Sequence, residues 1–542
     1  MTFLPIVGRE LRVLASRTRV HWVRAALAGF AVLACLQWVN FKLTAPNAAT
    51  IGLETFHMLA WLGFVLALGA AMVTADCVSH ERREGTLGLL FLTTLKSHDV
   101  VLGKFAAMGT VAIYALLGFA PVLMVPLMIG GVTGGEVVRV ALVLLNILFV
   151  SLATGLWVSV YARSQFGAIL TAFAALGFLA LAPFFVGVVG KGLIGFPFSI
   201  FSPVLGYFLS PDAVFKANPA PFWWSLGVTN LEGWGLIVAA TFGLRRNWRA
   251  VQAGQVVRLA PAPQSRRLVG APRVVVCARG QGRRTFAPVA RALLRMKGLP
   301  EMAWFAAVVS LVGSLANAVV MNRLGSVWGA ATISIVFTFA SSALFALVGG
   351  RFLFEARRSG ELELLLVTPV GARGILREQR LALQRILRKP IYVVVLGAIA
   401  VAAGSIRAFE GREMVGLLFG LCHLANTALG VLAVSWVGMW FATRVNSAFG
   451  ILGWTVGLVE VAPIALAYLL PVLFGTPRVY EFWPLVVLLL LAFKNLFFIR
   501  WAEVRLRAEF RTKDRIVADG YGRRFLATLT GRVPEPQPQL AP

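Results

Sequence analysis

Residues 80–95 read HERREGTLGLLFLTTL, and residues 355–370 read EARRSGELELLLVTPV. Each phrase joins two long apolar runs, and each passes from clustered charge through a glycine into a strongly apolar stretch. A short polar turn would suffice to connect two membrane helices, so the composition of this join governs how the rest is read. Placed on a helix, Leu87, Leu90, Phe91 and Leu95 fall at i, i+3, i+4 and i+8 and form one apolar stripe. Leu362, Leu365, Leu366 and Val370 repeat it. Such a segment cannot cross a bilayer, which takes roughly 20 mostly apolar residues. It fits beneath one in two ways. It is either an interfacial helix packed under its own spans or a docking element for a cytoplasmic partner.

Working outward, 58% of the 542 residues are hydrophobic and 14% are charged, with a mean hydropathy of +0.80. A water-soluble fold of this length could not cover so much apolar side chain, so the solvent is lipid. The expected fold is an all-α, polytopic integral membrane helical bundle. About twelve spans are expected: 25–41, 55–75, 100–129, 137–160, 166–189, 227–244, 303–321, 328–349, 390–406, 414–440, 446–474 and 483–499, with 390–406 the weakest. The net charge of +28 would point to nucleic acid in a soluble protein. With the N-terminus inside, however, 41 of the 51 Lys and Arg fall in cytoplasmic segments. This is the positive-inside asymmetry, with both termini cytoplasmic, an inner-membrane location and no nucleic-acid partner. The four cysteines (Cys35, Cys77, Cys277, Cys422) are scattered and fit neither a disulfide framework nor a metal site. The first span reads as an uncleaved helix rather than a signal peptide.

Aligning Gly85 with Gly360 matches Arg82-Arg83 with Arg357-Arg358, Leu87 with Leu362, Leu89-Leu90 with Leu364-Leu365 and Thr93 with Thr368. Trp157-Val158 pairs with Trp436-Val437, and Pro183 with Pro463. The chain therefore reads as two parallel six-helix repeats. The first half covers 1–245 and the second 301–505. Between them, 246–300 is a basic cytoplasmic linker, and 506–542 is a basic cytoplasmic tail expected to be disordered at its end. The stretches 5–17 and 288–300 read as amphipathic helices on the inner surface, or else as ordinary basic flanks. Between its fifth and sixth spans the first half inserts residues 190–226, an outer-face or partly re-entrant segment.

On these residues the sequence resembles the permease subunit of type-2 ABC transporters. The pattern Glu-x-x-x-Gly-[Thr/Glu]-Leu-x-Leu-Leu-x-x-Thr runs from Glu81 onward and recurs through Gly360 and Pro369, with Ala356 where the first copy has Glu81. The resemblance implies that each segment is a coupling helix receiving motion from an ABC ATPase on a separate subunit, in two copies. The coupling residues it implies are Glu81, Arg83, Glu84, Gly85, Thr86, Leu87, Leu90, Phe91 and Thr93, with Arg358, Gly360, Glu361, Leu362, Leu365, Thr368 and Pro369 in the second copy. It also implies a fused pseudo-dimer exporting a substrate, with ATP closure drawing the two segments together and rocking the halves. ATP and Mg would bind the partner; no cofactor is expected on this chain. The loops at Arg163-Ser164-Gln165 and Arg444-Val445-Asn446 are candidates for a second contact, or plain basic turns. In this reading Glu84→Ala or Leu87→Asp uncouples ATPase binding while leaving membrane insertion intact.

No Gly-x-x-x-x-Gly-Lys-[Ser/Thr] loop, metal-ligand spacing or hydrolase motif occurs, so the chain is not expected to be an enzyme. Glu460 is the acid the sequence places deepest, and Lys494 in the next span is its expected partner, the alternative being a place on the substrate path. Pro183 and Pro463 are expected to kink or break the fifth span of each half. Two other classes stay open: an ion-gradient-driven carrier of major-facilitator-like architecture, and a non-transporting membrane scaffold.

Overall fold

The computed structural model describes scattered residues between 7 and 35, then 48–92, 96–189, 198–258, most of 293–362, 371–408, 413–466 and most of 490–510. Thr93, Leu365, Thr368, Pro369, the linker over 259–292 and the tail from 511 lie outside the described residues, as does the side chain of Leu90. The described residues form helices and turns, with no strand among them. The protein is a polytopic membrane helical bundle. Eight helices among the described residues are long and apolar enough to cross a membrane. Contacts divide the chain into two compact units, Met1–Arg283 and Arg284–Pro542.

In the first unit, α1 (Ala48–Gly69), α2 (Ala71–Thr74) and α3 (Cys77–Glu84) run nearly end to end. After a short α4 (Thr86–Phe91), the chain crosses back and forth in α5 (Ser97–Ile129), α6 (Gly134–Tyr161) and α7 (Gln165–Val189). The inserted segment folds as a 3-10 turn (Phe198–Phe201), α8 (Pro203–Phe208) and α9 (Asp212–Ala217) before α10 (Ala220–Arg258). One core joins Phe56, Leu59 and Phe64 of α1 to Phe119 of α5, Val140 and Leu144 of α6, Tyr207 of α8 and Phe222 of α10. Tyr207 donates to the His57 carbonyl at 3.1 Å, so the insert packs into the bundle rather than lying on it. A polar clasp pins α9 to the start of α6. Thr133 donates to Asp212 at 3.0 Å, and Arg139 pairs with the same carboxylate and donates to the Ser210 carbonyl at 2.8 Å. Hydrogen bonds from Lys216 and Arg139 hold the Asp212 carboxyl down at about 2.

The two breaks in the α1–α3 helix are repaired by side chains of α6. Ser151 accepts from the Ala71 N–H at 2.8 Å and donates to the Leu68 carbonyl at 2.7 Å. One turn on, Thr74 donates to the Leu152 carbonyl at 2.9 Å. Ser159 accepts from the Val78 and Ser79 N–H groups at 2.8 and 3.2 Å. In lipid each backbone group freed by a break needs a partner from a neighbouring helix, and serines eight residues apart on one face supply it. Gly155 lies midway between them, where a β-carbon would come within 2.2 Å of the Ala71 carbonyl oxygen. The small-residue face lets the two backbones touch.

The second unit holds α11 (Leu299–Leu324), α12 (Val327–Arg358), α13 (Gly371–Ala408), α14 (Glu413–Ala442) and α15 (Ala448–Val456), followed by a π-helical turn over Gly457–Val461. Gly349, Gly350 and Gly438 give α12 and α14 the same close approach. The weak run at 390–406 proves to be the end of α13, a 38-residue helix with Pro390 inside it. Its early turns bury Ile375, Leu376, Leu383 and Leu387, so packing carries the helix well before the apolar run begins. On the opposite face Arg377, Arg380, Arg388 and Lys389 are exposed, and from Tyr392 the exposed residues turn apolar with Leu396 and Ile399. That change marks where the helix passes from water to lipid.

Gly155→Ala should lower the thermal unfolding midpoint in detergent, because backbone blocks the new methyl group. Gly177→Ala, whose β-carbon meets nothing within 4 Å, should leave it unchanged or raise it slightly. Equal midpoints for the two variants would count against the packing account.

Candidate functional site

The two repeated phrases fold into the same turn. α3 ends at Gly85, whose φ is 75° and whose N–H meets the Arg82 carbonyl at 3.4 Å. α12 ends two residues before Gly360, whose φ is 78° and whose N–H meets the Arg357 carbonyl at 3.4 Å. At a left-handed position a β-carbon costs on the order of 1–2 kcal/mol, so glycine lets the chain leave the helix axis and turn sideways. Beyond it the chain becomes helical again, as α4 in the first copy and at Glu361-Leu362 in the second.

Behind each glycine the first leucine points inward. Leu87 and Leu362 are each 3% exposed. Leu87 joins a core with Val78, Val100, Val101, Leu156, Val160 and Leu244, and Phe91 packs partly against it. Of the first stripe, Leu87 and Phe91 therefore pack on the protein's own bundle. This corrects the expectation for Leu87→Asp: the side chain is no free docking surface, and a carboxylate there would be buried without a partner. What each turn presents outward is Glu84-Gly85-Thr86 in the first copy and Arg358-Ser359-Gly360-Glu361 in the second.

The charges before each glycine are mostly internal ties. Glu81 pairs with Lys104 of α5 at 2.9 Å, with Lys104 only 3% exposed, and receives Arg9 at 3.4 Å. Its carbonyl also accepts from the Thr86 hydroxyl at 3.2 Å. One acid thus joins the N-terminal segment, the turn and α5. Arg83 is held by both Asp76 oxygens at 2.8 and 2.7 Å and by Ser79 at 3.2 Å. Arg82 caps α6 by donating to the Val160 carbonyl at 3.1 Å and to the Ala162 carbonyl. In the second copy Arg357 reaches the Asn446 side-chain oxygen at 2.7 Å. Each turn is therefore lashed to the fourth-to-fifth loop of its own unit, the loop containing Arg163-Ser164-Gln165 or Arg444-Val445-Asn446. Within those loops Ser164 and Ser447 accept from Gly167 and Gly450 N–H groups at 3.1 Å, starting the next helix as N-caps.

Deeper in the second unit, Lys494 donates to Glu460 at 2.8 Å and to the Val459 carbonyl at 2.6 Å, and Ser342 donates to Glu460 at 3.2 Å. Glu460 and Lys494 are both buried, as the sequence led one to expect. The tie to Val459 has a backbone cause. Pro463 has no N–H to offer the carbonyl four residues earlier, and that carbonyl belongs to Val459. The local result is the π-helical turn over Gly457–Val461 rather than a break. Pro183 likewise stays inside a continuous α7. There the Ser202 hydroxyl of the insert donates to the Ala180 carbonyl, one residue beyond the Leu179 carbonyl that Pro183 leaves without its N–H.

Sequence reasoning overlooked a second deep acid, Glu232 on α10. The neighbouring Gly233 packs on Phe149, and Trp234 contacts the Phe149 ring at 5.4 Å. Phe149 lies near the middle of α6, so Glu232 sits at the level of that helix's middle. Its Oε2 is buried with no hydrogen-bond partner. The run 227–244 contains this single charge, which was the signal available. One turn away Thr229 receives a hydrogen bond from Asn146 at 2.7 Å. Among the described residues no group of His, Cys, Asp and Glu is arranged to hold a metal ion.

The family described as ABC-2 family transporter protein matches residues 16–215. That stretch includes the first turn, the loop tied to it and α8. No curated protein matches the chain.

Lys494→Ala should cost about 3–5 kcal/mol by leaving a buried carboxylate unpaired. Exchanging both partners for leucine should restore most of the unfolding midpoint. A double variant no more stable than the single one would show that the pair is not what holds this position.

Proposed function

With an ABC-2 family transporter domain in residues 16–215 and a multi-pass helical membrane body, we propose that the chain is the transmembrane permease of an ABC exporter driven by separate ATPase subunits. Two ATPase copies dock at the cytoplasmic face of the inner membrane, one on each glycine turn. ATP and Mg are bound by those subunits, and both termini of this chain are cytoplasmic. The observation that carries the reading is the paired turn: an exposed tip, a glycine hinge and a buried leucine anchor, tied through an arginine to the next cytoplasmic loop. A tip pushed by a moving partner would not flex alone. In the first unit the Glu81–Lys104 pair passes the displacement to α5, and Arg82 passes it to the end of α6. In the second unit Arg357 ties the turn to Asn446.

The experiment is to purify the full chain from its native membranes and measure the co-purifying protein that carries a Gly-x-x-x-x-Gly-Lys-[Ser/Thr] loop. Glu84 is exposed and among the described residues meets only His80, at 3.1 Å on the surface, so Glu84→Arg should change stability by less than about 0.5 kcal/mol. It should reduce ATPase recovery several-fold. Gly85→Ala should do the same through the tilt of the tip, at a stability loss of about 1–2 kcal/mol. Undiminished ATPase recovery in both variants, or ATP-independent transport by the reconstituted chain, would refute the reading.

A further inference from the structure

The repeat is unequal at the residues that restrain the tip arginine. In the first copy Arg83 is clamped by Asp76 and Ser79, and its side chain is 21% exposed. In the register that aligns Gly85 with Gly360, Asp76 corresponds to Arg351 and Ser79 to Phe354. Both acceptors are gone. Arg351 instead pairs with Glu355 one turn on, at 2.9 Å, and touches the Met302 sulfur at 3.6 Å. Phe354 is buried. Arg358, the counterpart of Arg83, is exposed and meets no carboxylate among the described residues. The second tip thus offers solvent a guanidinium with five donors, whereas the first offers Glu84 beside an arginine already occupied.

We propose that the two docking sites are chemically distinct: Arg358 pairs with a carboxylate on the ATPase bound to the second unit, a contact the clamped Arg83 cannot make. The inference rests on the ATPase-docking reading above and sharpens it. A carboxylate is the occupant that planar, bidentate guanidinium geometry fits on a protein surface. An interfacial pair at the rim of a contact governs partner choice and association rate more than affinity. Two identical ATPases would therefore be held unequally, and a pair of different ATPases would be sorted between the two units.

The test uses the full chain purified with its accompanying ATPase, and a zero-length carbodiimide that joins an amine to a carboxylate in direct contact. Arg358→Lys should yield a cross-link from position 358 to an aspartate or glutamate of the ATPase. Arg83→Lys should yield a link from position 83 to Asp76 within this chain and none to the ATPase. Arg358→Glu should lower ATPase recovery about two- to five-fold at low salt, and the difference should vanish near 1 M NaCl. If ATPase is present and position 358 links only to this chain, or to nothing, the inference is overturned while the docking reading stands. Should no ATPase accompany the chain, both fall together.

Discussion

A membrane helix that reaches water must dispose of its last carbonyls and redirect the chain, and here a left-handed glycine does both. Gly85 and Gly360 hold φ values of 75° and 78°. Within each unit the neighbouring ties are arranged around that point. The residue two positions on turns inward as a buried leucine, and the arginine three positions before reaches the neighbouring loop. The tip between them is left in water. A residue with a β-carbon would favour continued helix, and the charged phrase would then extend away from the bundle instead of lying under it.

The membrane-embedded part obeys a second constraint of the same kind. Hydrocarbon supplies no hydrogen bonds, so each interruption of a helix calls for a specific neighbour. Ser151 and Ser159 answer the two breaks between α1 and α3. Lys494 answers the carbonyl that Pro463 leaves open, and the same ammonium neutralises Glu460. The pair therefore has a structural reason for existing. Glu232 differs: it sits beside residues packed on Phe149, with an oxygen that no donor among the described residues reaches.

Much of the bundle was legible beforehand, because a run of about 20 apolar residues has few alternatives to a spanning helix. Several described helices, such as α5, α6, α11 and α14, coincide with the runs expected for the same residues, and the Glu460–Lys494 pair was found by depth alone. The α13 arm was not legible. Its early turns mix arginine with leucine, and only packing of Ile375, Leu383 and Leu387 shows that they continue the helix. The roles within the coupling segments were only partly legible. Glu81, Arg83 and Leu87 were grouped with Glu84 and Thr86 as one contact surface, yet the first three face inward.

The sequence by itself determined a lipid-embedded helical protein and the positions of its two glycine turns, because apolar run length and left-handed geometry depend on local chemistry. Only the tertiary structure decided that Leu87 and Leu362 turn inward, since a 3.6-residue period is the same whether such a leucine packs on its own bundle or on a partner. It alone showed that Asp76 clamps Arg83 while Arg351 leaves Arg358 to solvent, because an arginine's state depends on which acceptors the fold brings within reach.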